Sequence, residues 1–413
     1  MGMIINIDEA LKLRSEYNIL REPLNEMLRR NQEAWEQQNP IDFLYVRNSI
    51  GTFQETYTSS IGFAHAFAET GDYMVGPIFN TAEGFSATYR TRTFQGSFII
   101  TQQTLEDRQM GRAKDDANSF IKRWHGDTVE YAMAAMSSGF GEEVVWGTEA
   151  NGGKSKLKLS SADTVDGTLD GVKNPLFTNK HTIVKRDDSK YTFTAKTATD
   201  TVTDCQSNKY YVDIDIKGDD SAKIVKLAEA INEVITAMEN YKDDNGKYAP
   251  LLGEKRIVCA NDPYIKAALK TALGQDMFCI GESKFNNPSY ERVGGVDTTP
   301  YLLAIPQCAA GKGFFIVDKA YNAENHGPEF TERIVLTLDV IEQKRPKGII
   351  YDGRQRFDIN VASWRGIAYV YLGTPAGSSG KWDDVNTFTK ITPSEAIVKP
   401  VSVAGTVNTK ASS

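Results

Sequence analysis

Four histidines (His65, His125, His181, His326) and four cysteines (Cys205, Cys259, Cys279, Cys308) are the side chains of this 413-residue chain best suited to metal or nucleophilic chemistry. A zinc site usually draws its ligands from short frames such as His-Glu-x-x-His or Cys-x-x-Cys, because several donors must converge on one small ion. None of these residues stands in such a frame. The cysteines are widely spaced and sit in or near apolar strands, which reads as buried thiols. Neither Cys205 nor Cys308 has a recognisable base nearby in sequence, and no Gly-x-Ser-x-Gly elbow exists. Gly311-Lys312-Gly313 lacks the rest of a phosphate-loop frame and precedes a strand instead of a helix, so it reads as a turn. Asp213, Asp215, Asp219 and Asp220 cluster around Gly218, but the twelve-residue calcium frame with its terminal Glu is not met. A solvated strand end is the reading there. His125, beside Trp124 in a helical pattern, reads as a packing or interface residue, and His181 as a local loop hydrogen-bonding group. The expectation is a protein that is not an enzyme, with no catalytic residues, cofactor or metal.

Composition points the same way. At 40% hydrophobic and 24% charged residues the chain is an ordinary folded protein, long enough for two or three domains. A formal charge of -7 argues against a main task of neutralising phosphate, which requires a basic face. No run approaches 18 apolar residues, and Met1 to Asp8 lacks the basic flank and apolar stretch of a secretory signal. The expected site of synthesis is the cytosol, without membrane contact.

The elements that would position any function are organised around Gln102 to Gly139. There Leu105, Met110, Ala113, Ala117, Phe120, Ile121, Trp124, Thr128, Tyr131, Ala132, Ala135 and Met136 recur at helical spacing. Such a helix would be roughly 55 Å long. Before it, Ile78 to Ile100 alternates Phe79, Phe85, Tyr89, Phe94 and Phe98 with small and polar residues, predicting a two-stranded ribbon turning near Glu83 to Ser86. A lone ribbon is marginal in water, so a neighbour is expected to cover it.

Residues 8–38 predict two helices, the second with a thin apolar face of Leu24, Met27, Leu28 and Trp35. Residues 41–77 predict an extended arm, and 148–220 an exposed polar insertion with strand-like pieces at 191–195 and 210–216. Ile224 to Tyr241 and Ile265 to Leu273 are amphipathic helices. With strands at Arg256 to Ala260, Tyr301 to Ile305 and Phe314 to Val317, they predict a compact α/β unit over 221–320. Ile334 to Glu342, Gly348 to Tyr351, Arg356 to Val361 and Gly366 to Leu372 predict a sheet packed on the long helix, followed by an extended tail from Thr374.

This order of parts resembles the major capsid protein of tailed bacteriophages, the Hong Kong 97-type fold, over about residues 41–373. The resemblance implies an α+β fold: an N-terminal helical segment (1–40), an N-terminal arm (41–77), an extended β-hairpin loop (78–101) and a spine helix (102–140). A peripheral-domain strand with a polar insertion (141–220), an axial domain (221–330), returning strands (331–373) and a C-terminal arm (374–413) would follow. Trp364-Arg365-Gly366-Ile367-Ala368-Tyr369 is similar to the returning strands. Asn174 to His181, with its Leu176-Phe177 pair, is similar to a turn in a subgroup related to Mu-like head proteins.

The function so implied is a subunit that self-assembles into hexamers and pentamers of an icosahedral shell around double-stranded DNA. It would reside in the virion capsid, after assembly in the host cytoplasm. Its implied partners are copies of itself, scaffolding and portal proteins, decoration proteins and non-specifically contacted DNA. An encapsulin-like nanocompartment shell is the alternative, and DNA inside purified particles separates the two. Phe79, Phe85, Tyr89, Arg90, Arg92, Phe94 and Trp124 are the expected inter-subunit contacts. Some members of the family weld the shell through a lysine on the extended loop, yet no lysine lies between Lys12 and Lys114. No such crosslink is expected here.

Overall fold

The computed structural model describes residues 39–60, 83–101, 110–147, 155–159, 175–182, 205–216, 221–242, 248–249, 251–274, 276–280, 283–287, 289–290, 292–344, 347–377 and 380–393, with scattered positions in 26–37 and short pieces at 103, 185–187 and 192–194. Two sheets and one long helix organise these residues. A short helix, α1 (Ile41–Leu44), leads into β1 (Val46–Ser49), β2 (Gln54–Ser60), β3 (Glu83–Arg90) and β4 (Arg92–Thr101), and then into the long helix α2 (Met110–Ser138). Strands β5 (Val144–Trp146) and β6 (Ser155–Leu157) form a small hairpin after it.

The 29 residues of α2 span about 43 Å at 1.5 Å per residue. Its predicted first turns, before Met110, lie almost wholly outside the described residues. Burial changes along the rod. Gly111, Arg112 and Lys114 to Asp116 are exposed, whereas Val129, Tyr131, Ala132, Met133 and Met136 are at most 1% exposed. The helix stops where Gly141 turns the chain at a φ of 93°, in the left-handed region that a side chain disfavours.

The first sheet has the order β1-β11-β12-β4, where β11 is Glu329–Lys344 and β12 is Lys347–Asn360. Its inner face lies on α2. Phe98 stacks on Tyr351 and touches Phe120, and the Trp124 indole donates to Gln355 Oε1 at 2.7 Å. Gly96 and Gly353 stand opposite one another in the β4–β12 register, and a Cβ on either would lie 3.2 Å from the Trp124 ring. The two glycines form a notch for that ring.

The second sheet has the order β9-β8-β10-β13-β7-β14, taking β7 (Lys209–Val212), β8 (Lys255–Ala260), β9 (Val293–Thr299), β10 (Gly313–Asp318), β13 (Ile367–Leu372) and β14 (Thr389–Lys390). It is accompanied by α3 (Ser221–Glu239), α4 (Pro263–Gly274) and the short α5 (Lys319–Glu324). One continuous apolar core runs from the C-terminal half of α2 through this sheet.

Several elements fall differently from the sequence expectation. The ribbon is β2 paired with β3, not 78–100 folded on itself: Glu83 to Ser86 lies inside β3, whose alternation runs unbroken to Arg90. At Thr91 the chain leaves the ribbon, and β4 joins the body sheet against β12. Two pieces of the expected arm, Val46–Ser49 and Gln54–Ser60, are strands. Tyr301 to Ile305 is no strand; Pro300 cannot donate to a ladder, and Thr299 Oγ1 caps the Tyr301 amide to start a 3-10 turn. Gly348 to Tyr351 and Arg356 to Val361 merge into one strand, β12, through Gly353.

Ile367 to Leu372 is buried at every residue and lies mid-way in the second sheet, as its unbroken apolar run requires of a central strand. Lys209 to Val212 belongs to that same sheet and is largely buried, not part of an exposed insertion. The tail does not leave at Thr374 either. Residues 380–393 return to the sheet, where Phe388 is 6% exposed and β14 pairs with β7.

Candidate assembly surfaces

The β2–β3 ribbon is hydrogen-bonded strand to strand, from Gln54 opposite Arg90 to Ser60 opposite Glu83, and among the described residues it pairs with no other sheet. Among the described residues, its contacts with the body lie at its root. Tyr89, 1% exposed, and Ala87 pack with Ala362 and Tyr57 in a small cluster apart from the main core. The Tyr57 ring lies 4.4 Å from the His326 ring, and its hydroxyl donates to Glu55 Oε2 at 2.9 Å. Burial first, then the Glu55 hydrogen bond, raise the Tyr57 phenol above its ordinary value. Asn48 donates to Glu329 Oε2, and the His326 ring meets Glu329 Oε1 at 2.9 Å, so one carboxylate ties the root from both sides.

Where the chain passes from ribbon to body sheet, Arg92 Nε donates to Asp358 Oδ2 at 3.1 Å and the Tyr131 hydroxyl donates to Asp358 Oδ1 at 2.6 Å. Burial raises the Asp358 carboxyl, against the opposing pull of Arg92. This triad fastens the strand after the ribbon to the C-terminal part of the long helix. A charged donor on a buried carboxylate is among the stronger hydrogen bonds a protein makes.

Of the residues expected to meet a neighbour, Phe79 lies outside the described residues, and Phe85 is placed only as a position in β3. Tyr89 is spent on the ribbon root. Phe94 is enclosed by Tyr131, Trp146 and Phe357, and Trp124 fills the notch between Gly96 and Gly353. These three hold the subunit itself together, because aromatic residues at the ribbon's base are in reach of the helix that follows. Arg92 is shared, pairing with Asp358 while its side chain stays 42% exposed. Arg90 is exposed and bonds Gln54 across the ribbon.

A surface the sequence reading missed is the outer face of the first sheet. Register places Ile99, Ile350 and Ile341 in one rung, with Ile99 40% and Ile341 50% exposed. The next outward rung sets Asp352 opposite Asp339, and the one after it carries Arg354. Like charges directly opposite are unfavourable in a sheet, so such a rung gains from an external cation. The signal was available in the period-2 pattern of Ile350, Asp352 and Arg354, but only with the pairing known.

The histidines His125 and His181 and the cysteines Cys259 and Cys308 are internal. His181 is fully buried, stacks on Trp364 at 3.8 Å and contacts Asn208 Oδ1 at 3.0 Å; Asn208 also donates to Leu176 O. The Leu176-Phe177 turn is thus locked to the second sheet. His125 stacks on Trp35 at 4.7 Å, and Asn31 Nδ2 donates to Asn118 Oδ1, so the second N-terminal helix lies along α2. Burial pushes the Cys259 thiol up to about 12 and the Cys308 thiol higher still, leaving both as unreactive thiols. Gly313 permits close approach, since a Cβ there would sit 2.4 Å from Gln307 O. Asp213 accepts from Thr374 Oγ1 at 2.9 Å. Among the described residues no three His, Cys, Asp or Glu side chains converge as a metal site, and no described helix is long and apolar enough to cross a membrane.

No protein-family model matches this chain, and no curated protein matches it in sequence. Among solved structures it is similar to one from Mycobacterium phage Patience, at 12% identity and a TM-score of 0.42, over 90% of this chain and 93% of that one. It is also similar to the capsid of the Myoviridae phage XM1, at 10% identity and a TM-score of 0.41, over 81% and 91% of the two chains. The virus-like particle from Pyrococcus furiosus aligns at 8% identity and a TM-score of 0.38, over 86% and 98%.

Proposed function

We propose that this chain is a shell-forming structural subunit, the major capsid protein of a tailed bacteriophage, built to associate with copies of itself. The observation that carries the reading is the β2–β3 ribbon. It is rooted by one small cluster and paired along its length only with itself among the described residues. A two-stranded hairpin gains little stability in water from its own pairing, and its open edges invite other chains. A neighbouring subunit supplies what is missing. The exposed N-terminal end of α2 and the apolar, acidic and basic rungs on the outer sheet face offer further surface for the same purpose.

In this reading the subunits form hexamers and pentamers in a closed icosahedral shell around double-stranded DNA. Each copy uses the same heterologous contacts, which close into rings. Scaffolding, portal and decoration proteins are its further partners, the contact with DNA is non-specific, and the chain carries no catalytic role. It assembles in the host cytoplasm and ends in the virion.

The test is to express the chain alone and with a scaffolding partner, and to examine it by sedimentation and negative-stain microscopy. Polyhedral shells or open tubes are expected. A compact monomer under every condition, at concentrations into the tens of micromolar, would defeat the reading.

A further inference from the structure

Leu252 is 90% exposed and Tyr248, on the same loop, 70%. An exposed leucine by itself means little. This one is held in place. Lys255 Nζ donates to Leu251 O at 2.7 Å and to Gly253 O at 2.8 Å, the carbonyls on either side of Leu252. Its third bond goes to Asp318 Oδ2 at 2.7 Å, in an ion pair whose side chains are 2% and 0% exposed. Asp318 Oδ1 in turn accepts the Tyr321 amide at the start of α5.

The glycine fits the same plan. A Cβ on Gly253 would fall 2.3 Å from Asp318 Oδ1, so only glycine lets the loop close over that carboxylate. Next along, Glu254 folds over Gly294, where a Cβ would lie 1.6 Å from Glu254 Oε1. Burying a lysine and an aspartate costs several kcal/mol per ion before their attraction offsets it. That is a costly way to fix a surface loop that holds a leucine out in solvent. It is a sensible way to pre-organise an apolar contact, because a side chain already held in its bound position loses less freedom on docking.

A matching surface lies at the opposite end of the same sheet. Strand β8 runs from Lys255, beside the loop, to Ala260, about 17 Å away. Ala260 pairs with Thr299, and just beyond these two residues Tyr264 is 58% and Leu303 41% exposed. An exposed leucine at one end of the sheet and exposed apolar side chains at the other are what a head-to-tail contact needs, the kind that closes into rings.

We propose that the braced 248–253 loop is a self-association knob: Leu252 of one copy seats against the Tyr264 and Leu303 surface of the next copy around a ring. The proposal rests on the shell-subunit reading and adds to it the residues of one contact. Two sets of variants test it. Leu252→Asp removes the apolar contact and is expected to weaken each contact by at least about tenfold, the worth of one buried leucine side chain. It should cut shell yield with no change in the thermal midpoint of the free subunit, while Leu252→Met assembles as wild type. The double variant Leu252→Cys with Leu303→Cys, mildly oxidised after assembly, should give a ladder of covalent multimers on non-reducing gels that neither single variant gives.

Wild-type shell yield from Leu252→Asp overturns the proposal, as does the absence of a ladder in well-formed shells of the double variant. Should Leu252→Asp fail to fold, the cysteine pair decides alone. Failure of the wild-type chain to form any shell is a separate result and strikes the shell reading itself.

Discussion

At the residue scale two buried imidazoles couple the fold to acid. Burial, helped by nearby Arg365 and opposed by the Asn208 hydrogen bond, pushes His181 down to about 3, and burial alone pushes His125 down to about 4. In the unfolded chain each returns to about 6.5. Their folded-state values are depressed, so the stability they contribute is complete above about 6.5 and is lost as pH falls toward 4 and then 3, where unfolding takes up protons. Urea midpoints should drop steadily between pH 7 and 4.5. His125→Phe, which keeps a ring on Trp35, should drop less steeply.

Lys209 works at the other end of the scale. Its ammonium lies between the Phe388 and Phe140 rings and donates to Trp382 O and Thr387 Oγ1. Burial pushes it down to about 7, although Asp384, Asp383 and Glu142 pull the other way. The unfolded lysine titrates near 10.4, so between about 7 and 10.4 unfolding takes up a proton and stability rises with pH, by at most about 1.4 kcal/mol per unit. Lys209→Met should flatten that rise, which denaturant unfolding at pH 7.5, 8.5 and 9.5 would show.

At the scale of elements, two glycines separate packing from propensity. Gly353 leaves room for the Trp124 ring, and Gly353→Ala must displace an indole that is also hydrogen-bonded to Gln355. A loss of about 1–3 kcal/mol is expected, the usual cost of overfilling a packed site. Gly111, near the exposed start of α2, has nothing within 4 Å of a would-be Cβ. Gly111→Ala should stabilise by roughly 0.4–1 kcal/mol, because alanine loses less backbone freedom on forming helix. Chemical denaturation of both variants checks the pair, with tryptophan emission reporting the disturbed Trp124.

The same elements show what could be read from sequence. The 3.6-residue period of Phe120 to Met136 and the apolar faces of α3 and α4 need no partner to be seen, and the structure has all three helices where the pattern placed them. Strand partners are another matter. Glu83 to Arg90 alternates equally well whether it pairs with 92–101 or with 54–60, and only the closure of Tyr89 on Ala362 selects the second. A buried run such as Ile367 to Leu372 announces a strand without announcing its sheet. The strand at Lys209 to Val212 was legible but its burial was not, because a charge there reads as solvent exposure until its acceptors, far along the chain, are known. Tyr89, Phe94 and Trp124 illustrate the same point: an aromatic side chain looks free until the register gives it neighbours within its own chain.

For the whole molecule, the division of labour is between a body that is complete and a ribbon that is not. Body and ribbon meet through the Tyr57, Ala87, Tyr89 and Ala362 cluster and through the Arg92, Asp358 and Tyr131 triad. All seven residues lie outside the segment between Ser60 and Glu83. Replacing residues 61–82 by an Asn-Gly turn, which suits the twist of a tight hairpin, should therefore leave the root and the core intact. The trimmed subunit is expected to keep the cooperative unfolding and the thermal midpoint of the full chain, and to remain a monomer where the full chain builds shells. Sedimentation velocity and calorimetry on the same samples distinguish the outcomes. If the trimmed chain assembled as readily as the full one, the 61–82 segment would not be what reaches a neighbour. If it lost its midpoint as well, that segment would be a structural part of its own body, completing the subunit instead of the shell.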